Sequence, residues 1–281
     1  GGYGDDTIIS TGNHNRLHGG DGNDSITMTG YDQKTWSAAG NDTVTANGDL
    51  SWVAAGTGDD TVNVIGDQAS VFGQDGNDAI NLSGERAAVW GGSGHDSITV
   101  TGNHNMVDGE TGNDHIYSYG SGNTIDGGDG NDSLTVNGAN NTLNGGEGSD
   151  TLNSIGGFSN TLTGGAGDDT FNDSADRNTM NGGEGNDTFN ASGTNALMNG
   201  GEGDDRFILR GSDNTANGDA GNDKMFIEGV GNLAEGGSGD DLMFQWDNSS
   251  SSNNHFVGGD GADSLISNGE GQISEGGAGN D

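Results

Sequence analysis

The chain has 281 residues, a formal net charge of −37 and only seven Lys and Arg residues, and 27% of its residues are hydrophobic. This charge disfavours binding to nucleic acid, whose phosphates it would repel, and the absence of Cys excludes disulfides and thiolate metal sites. Chains so poor in apolar residues and so rich in like charge are typically disordered without a ligand. We therefore expect a cation to take part in folding.

A glycine-rich motif recurs along the whole chain, and its clearest copy runs from Gly19 to Thr27 with the sequence GGDGNDSIT. Its sixth residue is an Asp that returns every 18 residues, with one extra residue before Asp169 and four before Asp263. A period near 20 residues predicts a solenoid, in which neighbouring coils complete each other's core. We expect one continuous domain over 1–281. It is predicted to be a segment of a longer repeat protein, because neither end carries an atypical capping repeat.

Each coil contains two short stretches with the pattern of a half-buried strand. Counting from the leading Gly, positions 8 and 10 are apolar, as in Ile26 and Met28, and position 17 is apolar again, as in Val53. Alternation with a period of two is typical of a strand with one buried face. The sequence therefore predicts an all-β parallel solenoid of about 16 coils with two strands per coil.

The two turns of each coil differ. The second turn often carries Asn at position 15, as in Asn105 and Asn123, and we expect these stacked amides to hydrogen-bond along the solenoid. Both insertions fall in this half of the coil, near Gly157 and between Ser249 and Asn253, whereas the first turn has six residues in every copy. A turn of fixed length indicates that it is built around something of fixed size.

The first turn offers only oxygen ligands, namely the Asp carboxylate and the carbonyls that the Gly residues leave unpaired. Oxygen-only sites favour Ca²⁺ over zinc or copper, and coils about 4.8 Å apart allow an ion between successive turns. About fifteen Ca²⁺ ions in one row would change the charge from −37 to about −7, so we expect folding to depend on calcium. The predicted carboxylate ligands are Asp6, Asp24, Asp42, Asp60, Asp78, Asp96, Asp114, Asp132, Asp150, Asp169, Asp187, Asp205, Asp223, Asp241, Asp263 and Asp281. The predicted carbonyl ligands come from turn residues such as Gly1, Gly19, Gly20, Gly22, Gly91, Gly94, Gly127, Gly130, Gly145, Gly164, Gly182, Gly200, Gly236, Gly258 and Gly276.

With this motif, the chain resembles the repeat-in-toxin (RTX) parallel β-roll, whose nonapeptide is G-G-x-G-x-D-x-U-x. The segments 19–27, 127–135 and 182–190 match it throughout. The resemblance implies a right-handed roll, calcium between successive turns, and folding after type I secretion from a Gram-negative bacterium, hence a secreted or cell-surface location. The second nonapeptide of each coil lacks the motif, so we expect a single metal row, as in the extender and ice-binding regions of giant RTX adhesins.

Some turns depart from the motif in ways that bear on metal binding. The turn 37–42 lacks both leading Gly residues, and the second Gly is replaced in 109–114 and 218–223. Gln74 replaces it in one further turn. We expect weaker or distorted sites there.

Two sets of outward-facing apolar residues indicate contact surfaces for self-association or for a neighbouring domain. One set lies in the later coils and the other in the early coils. They are Ile208, Phe226, Phe244 and Ile266, and Trp36, Trp52, Phe72 and Trp90.

The functional prediction is a calcium-dependent extracellular rod that acts as an adhesin stalk, surface-layer component or filament segment. The six His residues show no recurring spacing with a Ser or a third ligand, so we do not expect an enzyme. One alternative is the calcium-binding, export-coupled module of an RTX toxin or secreted enzyme. Another is an ice-binding face built from outward Thr residues such as Thr27 and Thr45, a pattern that Arg206 and Ile208 interrupt.

Overall fold

A computed structural model describes residues 1–245 and 252–281, which form thirty β-strands. In these ranges we find no helical segment with the length and hydropathy of a membrane span. The chain divides into two compact units, Gly1–Thr142 and Leu143–Asp281. The part of the Ser249–Asn253 insertion up to residue 251 lies outside the described residues.

In the first unit, odd-numbered and even-numbered strands form two separate parallel sheets. Pairing is offset by one 18-residue coil, so that Ile8 lies beside Ile26 and Ile26 beside Val44. The odd strands are β1 (Thr7–Thr11), β3 (Ser25–Thr29), β5 (Thr43–Asn47), β7 (Thr61–Ile65), β9 (Ala79–Ser83), β11 (Ser97–Thr101), β13 (His115–Tyr119) and β15 (Ser133–Asn137). The even strands are β2 (Arg16–Asp21), β4 (Lys34–Ala39), β6 (Trp52–Thr57), β8 (Ser70–Asp75), β10 (Ala88–Ser93), β12 (Met106–Thr111) and β14 (Thr124–Asp129).

The second unit has the same architecture. Thr151 pairs with Thr170 and Leu233 with His255, so both insertions are absorbed between strands and the register is kept. The even strands are β16 (Thr142–Glu147, whose first residue belongs to the first unit), β18 (Thr161–Ala166), β20 (Thr179–Glu184), β22 (Leu197–Glu202), β24 (Thr215–Ala220), β26 (Leu233–Ser238), β28 (His255–Gly261) and β30 (Ile273–Gly279). The odd strands are β17 (Thr151–Ser154), β19 (Thr170–Asp173), β21 (Thr188–Ala191), β23 (Arg206–Leu209), β25 (Lys224–Ile227), β27 (Leu242–Gln245) and β29 (Ser264–Ile266). Each unit is a parallel β-solenoid with about 18 residues per turn, which confirms the predicted fold class.

The core is a thin layer of side chains from alternate positions of the facing strands. In the first unit it contains Val44, Val62 and Ile80, all fully buried. In the second unit, Phe171, Phe189 and Phe207 stack in register with ring centroids 4.6 Å apart. Because equivalent residues of successive coils lie directly above one another, core side chains such as Phe189 pack on their counterparts in the neighbouring coils.

The second turn confirms the predicted amide ladder. The Asn105 N–H donates to Asn123 Oδ1 of the next coil at 2.8 Å, and Asn123 Nδ2 donates back to the Gly102 carbonyl at 3.1 Å. Asn214 and Asn232 repeat this arrangement in the second unit. These amides are buried, and their bonds supply the partners that buried polar groups require.

Candidate metal centre

The first turn links the end of each even strand to the next odd strand, and its shape depends on two left-handed positions. In the turn 19–24 the φ angles of Gly20 and Gly22 are +120° and +126°. Only glycine adopts such angles readily. The imperfect turns keep this shape with other residues at the second position, since φ is +91° at Ala38, +84° at Gln74 and +72° at Glu110.

The Asp residues at the sixth position form a continuous ladder within each unit, which is buried except at Asp6 and Asp281. The N–H of Asp24 donates to Oδ1 of Asp42 at 2.7 Å, and the N–H of Asp187 donates to Oδ1 of Asp205 at 2.7 Å. Both acceptors are at most 2% exposed. One oxygen of each carboxylate is therefore fixed by the main chain of the preceding coil.

The other carboxylate oxygen, Oδ2, has no hydrogen-bond partner along most of the row. This oxygen is buried in the residues Asp24, Asp42, Asp60, Asp78, Asp96, Asp114, Asp169, Asp187, Asp205, Asp223, Asp241 and Asp263. A buried anionic oxygen without a donor is costly unless a positive charge balances it. Lys and Arg number only seven in the chain, so a metal cation suits this row better than side-chain ion pairs.

The unpaired Oδ2 lies over the leading Gly of its own turn, together with a carbonyl oxygen from the next coil. A Cβ built on Gly73 would lie less than 3.0 Å from both Asp78 Oδ2 and the Gly91 carbonyl. We term this space, bounded by the leading residue, the Asp Oδ2 and the next leading carbonyl, the cradle. The same pair of contacts, each under 3.0 Å, occurs at Gly1, Gly19, Gly91, Gly109, Gly145, Gly164, Gly182, Gly200, Gly218, Gly236 and Gly258.

The structure separates the predicted carbonyl ligands into two groups. Leading residues such as Gly91, Gly182 and Gly258 have their carbonyl oxygens beside the Asp of the preceding coil. By contrast, Gly20 and Gly22 have positive φ, and a Cβ there would meet the backbone of the preceding coil. These two glycines therefore shape the turn, and their carbonyl oxygens are not among those that meet the Asp Oδ2 in the cradle.

Burial favours the protonated form of several Asp residues in the row in the absence of metal. Desolvation raises the pKa of Asp60, Asp114 and Asp205 to about 7, and neighbouring carboxylates add to the rise. The backbone N–H bond to each carboxylate opposes it. Protons therefore compete with any cation for these oxygens near neutral pH.

The donor set fits a hard divalent cation. In the described ranges no three His, Asp or Glu side chains converge, so a site in the cradle must combine a single carboxylate with main-chain carbonyls. Such oxygen donors are the ligands that Ca²⁺ prefers, and its flexible coordination suits a backbone cage.

A second ladder runs along the exposed outer side of the same turns and was missed by the sequence analysis. The residue at the fifth position accepts the N–H of its counterpart in the next coil, as Asn23 Oδ1 does from Asn41 at 2.8 Å. His95 joins this ladder, because its Nδ1 accepts the N–H of Asn113 at 2.8 Å. Its signal in the sequence is the frequent Asn or Asp immediately before the buried Asp.

The fold and the turn together define a β-solenoid of the calcium-binding type. The family model for RTX calcium-binding nonapeptide repeats matches residues 1–27, 36–64, 90–120, 117–152, 154–189 and 191–226. These segments cover more than half of the chain, which therefore belongs to the RTX calcium-binding repeat family.

No curated protein matches the chain. Among solved structures, the chain is similar to a hyperactive, Ca²⁺-dependent, β-helical antifreeze protein from an Antarctic bacterium. The identity is 21% and the TM-score is 0.50, with 88% of this chain and 84% of that one covered. At this identity, the likeness supports the solenoid fold alone.

Proposed function

We propose that the chain is a calcium-dependent extracellular structural rod, such as an adhesin stalk or a surface-layer or filament segment, that folds on binding a row of Ca²⁺ ions. The observation that carries the proposal is the buried Asp row, in which an unpaired Oδ2 meets the carbonyl of the next coil. The ligands proposed are the sixth-position Asp residues from Asp6 to Asp281, with the leading carbonyls of successive turns.

Calcium binding and folding are coupled in this proposal. The cradle combines groups from successive coils, so it exists only when the coils are stacked. An ion that binds the folded chain alone stabilises it by mass action. Without the ions, a formal charge of −37 opposes compaction. High extracellular calcium then favours the folded rod after export by type I secretion.

Circular dichroism tests this coupling. The metal-free chain in a chelator is expected to lack most of its β signal at neutral pH, and millimolar Ca²⁺ is expected to restore it. Magnesium at equal concentration serves as a control for ionic screening, because it demands a smaller octahedral site and keeps its water. A full β spectrum in the chelator contradicts the proposal.

Ice binding is a second candidate, since the similar solved structure is described as an antifreeze protein. Outward positions of the odd strands carry Thr27, Thr45 and Thr99, which are half-buried on the sheet surface. Arg206 and Lys224 interrupt this face in the second unit, where they pair in register on β23 and β25. Thermal hysteresis of the calcium-loaded chain distinguishes the two candidates, and its absence favours the rod.

We further propose that an aromatic column on the even strands of the first unit is a contact surface between copies or with a neighbouring domain. The ring centroids of Trp36 and Trp52 are 4.9 Å apart, and those of Phe72 and Trp90 are 4.5 Å apart. Trp36 is 38% exposed. Sedimentation of the Trp36→Ser variant against the unchanged chain tests this surface, since loss of association is expected.

The apolar set of the second unit is less accessible than the sequence indicates. Ile208 is only 9% exposed, and the Arg206 guanidinium covers the Phe226 ring at 5.2 Å from its centroid. Ile266 remains 46% exposed. Contact through this set therefore depends mainly on its last coil.

A further inference from the structure

The third and fourth turns differ from the others at the leading position. Fourteen of the sixteen turns begin with Gly, whereas these two begin with Ser37 and Ala55. Both residues are fully buried, so their side chains point into the solenoid. The effect of these two side chains on metal binding depends on what the leading Gly does in the other turns.

The leading Gly is not required by its backbone conformation. Gly91, Gly182 and Gly236 do not have positive φ, unlike the glycines at the second and fourth positions of the same turns. What the leading Gly provides is space, because a Cβ would lie under 3.0 Å from the Asp Oδ2 and from the next leading carbonyl. Of these two neighbours, the carbonyl is backbone and is held by the sheet, so it has little freedom to move aside.

Ser37 and Ala55 carry the Cβ that the other turns exclude. The Asp ladder nevertheless continues through them, since Asp42 and Asp60 accept the N–H of the preceding Asp at 2.7 Å and 2.6 Å. Both carboxylates are 2% exposed and both Oδ2 atoms have no hydrogen-bond partner. The anionic oxygens are thus present, but the leading residue adds a buried side chain to these two turns, and at Ser37 that side chain ends in a hydroxyl without a hydrogen-bond partner.

The same coils are also joined by contacts between aromatic side chains. Trp36 immediately precedes Ser37, and Trp52 lies three residues before Ala55 on β6, a strand buried at four consecutive positions. With Phe72 they form a row of rings on the outer face, at centroid separations of 4.9 Å and 5.5 Å. Aromatic contacts at these separations are attractive beyond the area they bury.

We propose, resting on the calcium-dependent function above, that the calcium row is interrupted at the cradles of Asp42 and Asp60. Coils three and four are held together by the Trp36, Trp52 and Phe72 rings and by the apolar core instead of by ions. The solenoid therefore contains a short calcium-independent segment between calcium-bound coils.

Counting the ions bound to the full chain by native mass spectrometry tests this inference. The unchanged chain is expected to hold about thirteen Ca²⁺ ions rather than about fifteen. Ala55→Gly is expected to add one ion, Ser37→Gly with Ala55→Gly to add two, and Gly91→Ala to remove one. Ala87→Gly is the matched control, because Ala87 is 3% exposed on the opposite edge and its substitution should leave the count unchanged.

The ion counts distinguish an uninterrupted calcium row from a chain that binds no calcium. If the unchanged chain binds calcium and neither Ala55→Gly nor the double variant gains an ion, the interruption is refuted while calcium-dependent folding stands. If the unchanged chain binds no calcium, both are refuted. Ala55→Gly keeps the test valid even if Gly91→Ala does not fold.

Discussion

Replacing Asp187 with Asn probes one cradle without changing its shape. Asp187 Oδ1 accepts the N–H of Asp169 at 2.8 Å, and the Asn carbonyl can keep that bond. The amide nitrogen then replaces the unpaired Oδ2, which puts a hydrogen-bond donor where a cation ligand is proposed. The substitution therefore removes the charge and one ligand while preserving the ladder.

The expected effect changes sign with calcium. At a calcium concentration a hundredfold above Kd, one site stabilises the fold by about 2.7 kcal/mol, and the Asp187→Asn variant should lose about that amount. In chelator the same change should stabilise the fold. Burial raises the pKa of Asp187 to about 6, which shows that its charged form is disfavoured in the fold, and a neutral amide does not carry this desolvation cost.

Unfolding followed by circular dichroism measures both effects, with an osmolyte added to the chelator samples so that folded protein is populated. Asp204→Asn is the matched control, since Asp204 is exposed, accepts the N–H of Asn222 at 2.7 Å and carries the same charge. Equal effects of the two substitutions in calcium, or no change of sign for Asp187→Asn, would show that Asp187 does not hold a cation.

Further predictions concern pH, the core and the amide ladder. Asp60 and Asp114 have folded pKa values of about 7, above the ordinary 3.8, so their protonation stabilises the metal-free fold below about pH 4 and this stabilisation is lost as pH rises through 7. The circular dichroism β signal of the metal-free chain should therefore increase when the pH is lowered from 7.5 to 4.5. In limiting calcium, the same acidification should release bound ions. A β signal that acid leaves unchanged in chelator contradicts this prediction. Phe189→Ala removes a fully buried ring stacked on both sides and should cost about 3–5 kcal/mol in saturating calcium. Denaturant unfolding measures this loss, with Tyr119→Ala as the control because the Tyr119 ring is 44% exposed. Similar losses of unfolding free energy for the two variants would contradict the prediction. Asn123→Ala leaves the buried Asn105 N–H without its acceptor and should cost about 1–3 kcal/mol; thermal unfolding with no loss would show that the ladder is dispensable.

Repetition made most of the fold predictable from the sequence. An Asp every 18 residues fixes the register, so pairs such as Thr7 with Ser25 follow once the coil length is known. The buried Asp row and the Asn ladder followed from the same periodicity, because a residue type that recurs in phase must stack on itself.

The features that the sequence did not reveal depend on backbone conformation and on local contacts. The second turn requires left-handed φ at position 14, where Leu50 and Gln68 both have +57°. Neither residue type signals such a conformation, since it is imposed by the stacked turns above and below. The purpose of the leading Gly was equally hidden, because only the structure shows the carboxylate and carbonyl that meet beside its Cα.

Anomalous diffraction from crystals grown in calcium would locate the bound ions themselves. We expect a row of peaks along the edge of the sixth-position Asp residues, each about 2.3–2.6 Å from an Asp Oδ2 and from main-chain carbonyl oxygens of the neighbouring turns. A folded chain with no peaks along that edge would contradict this expectation.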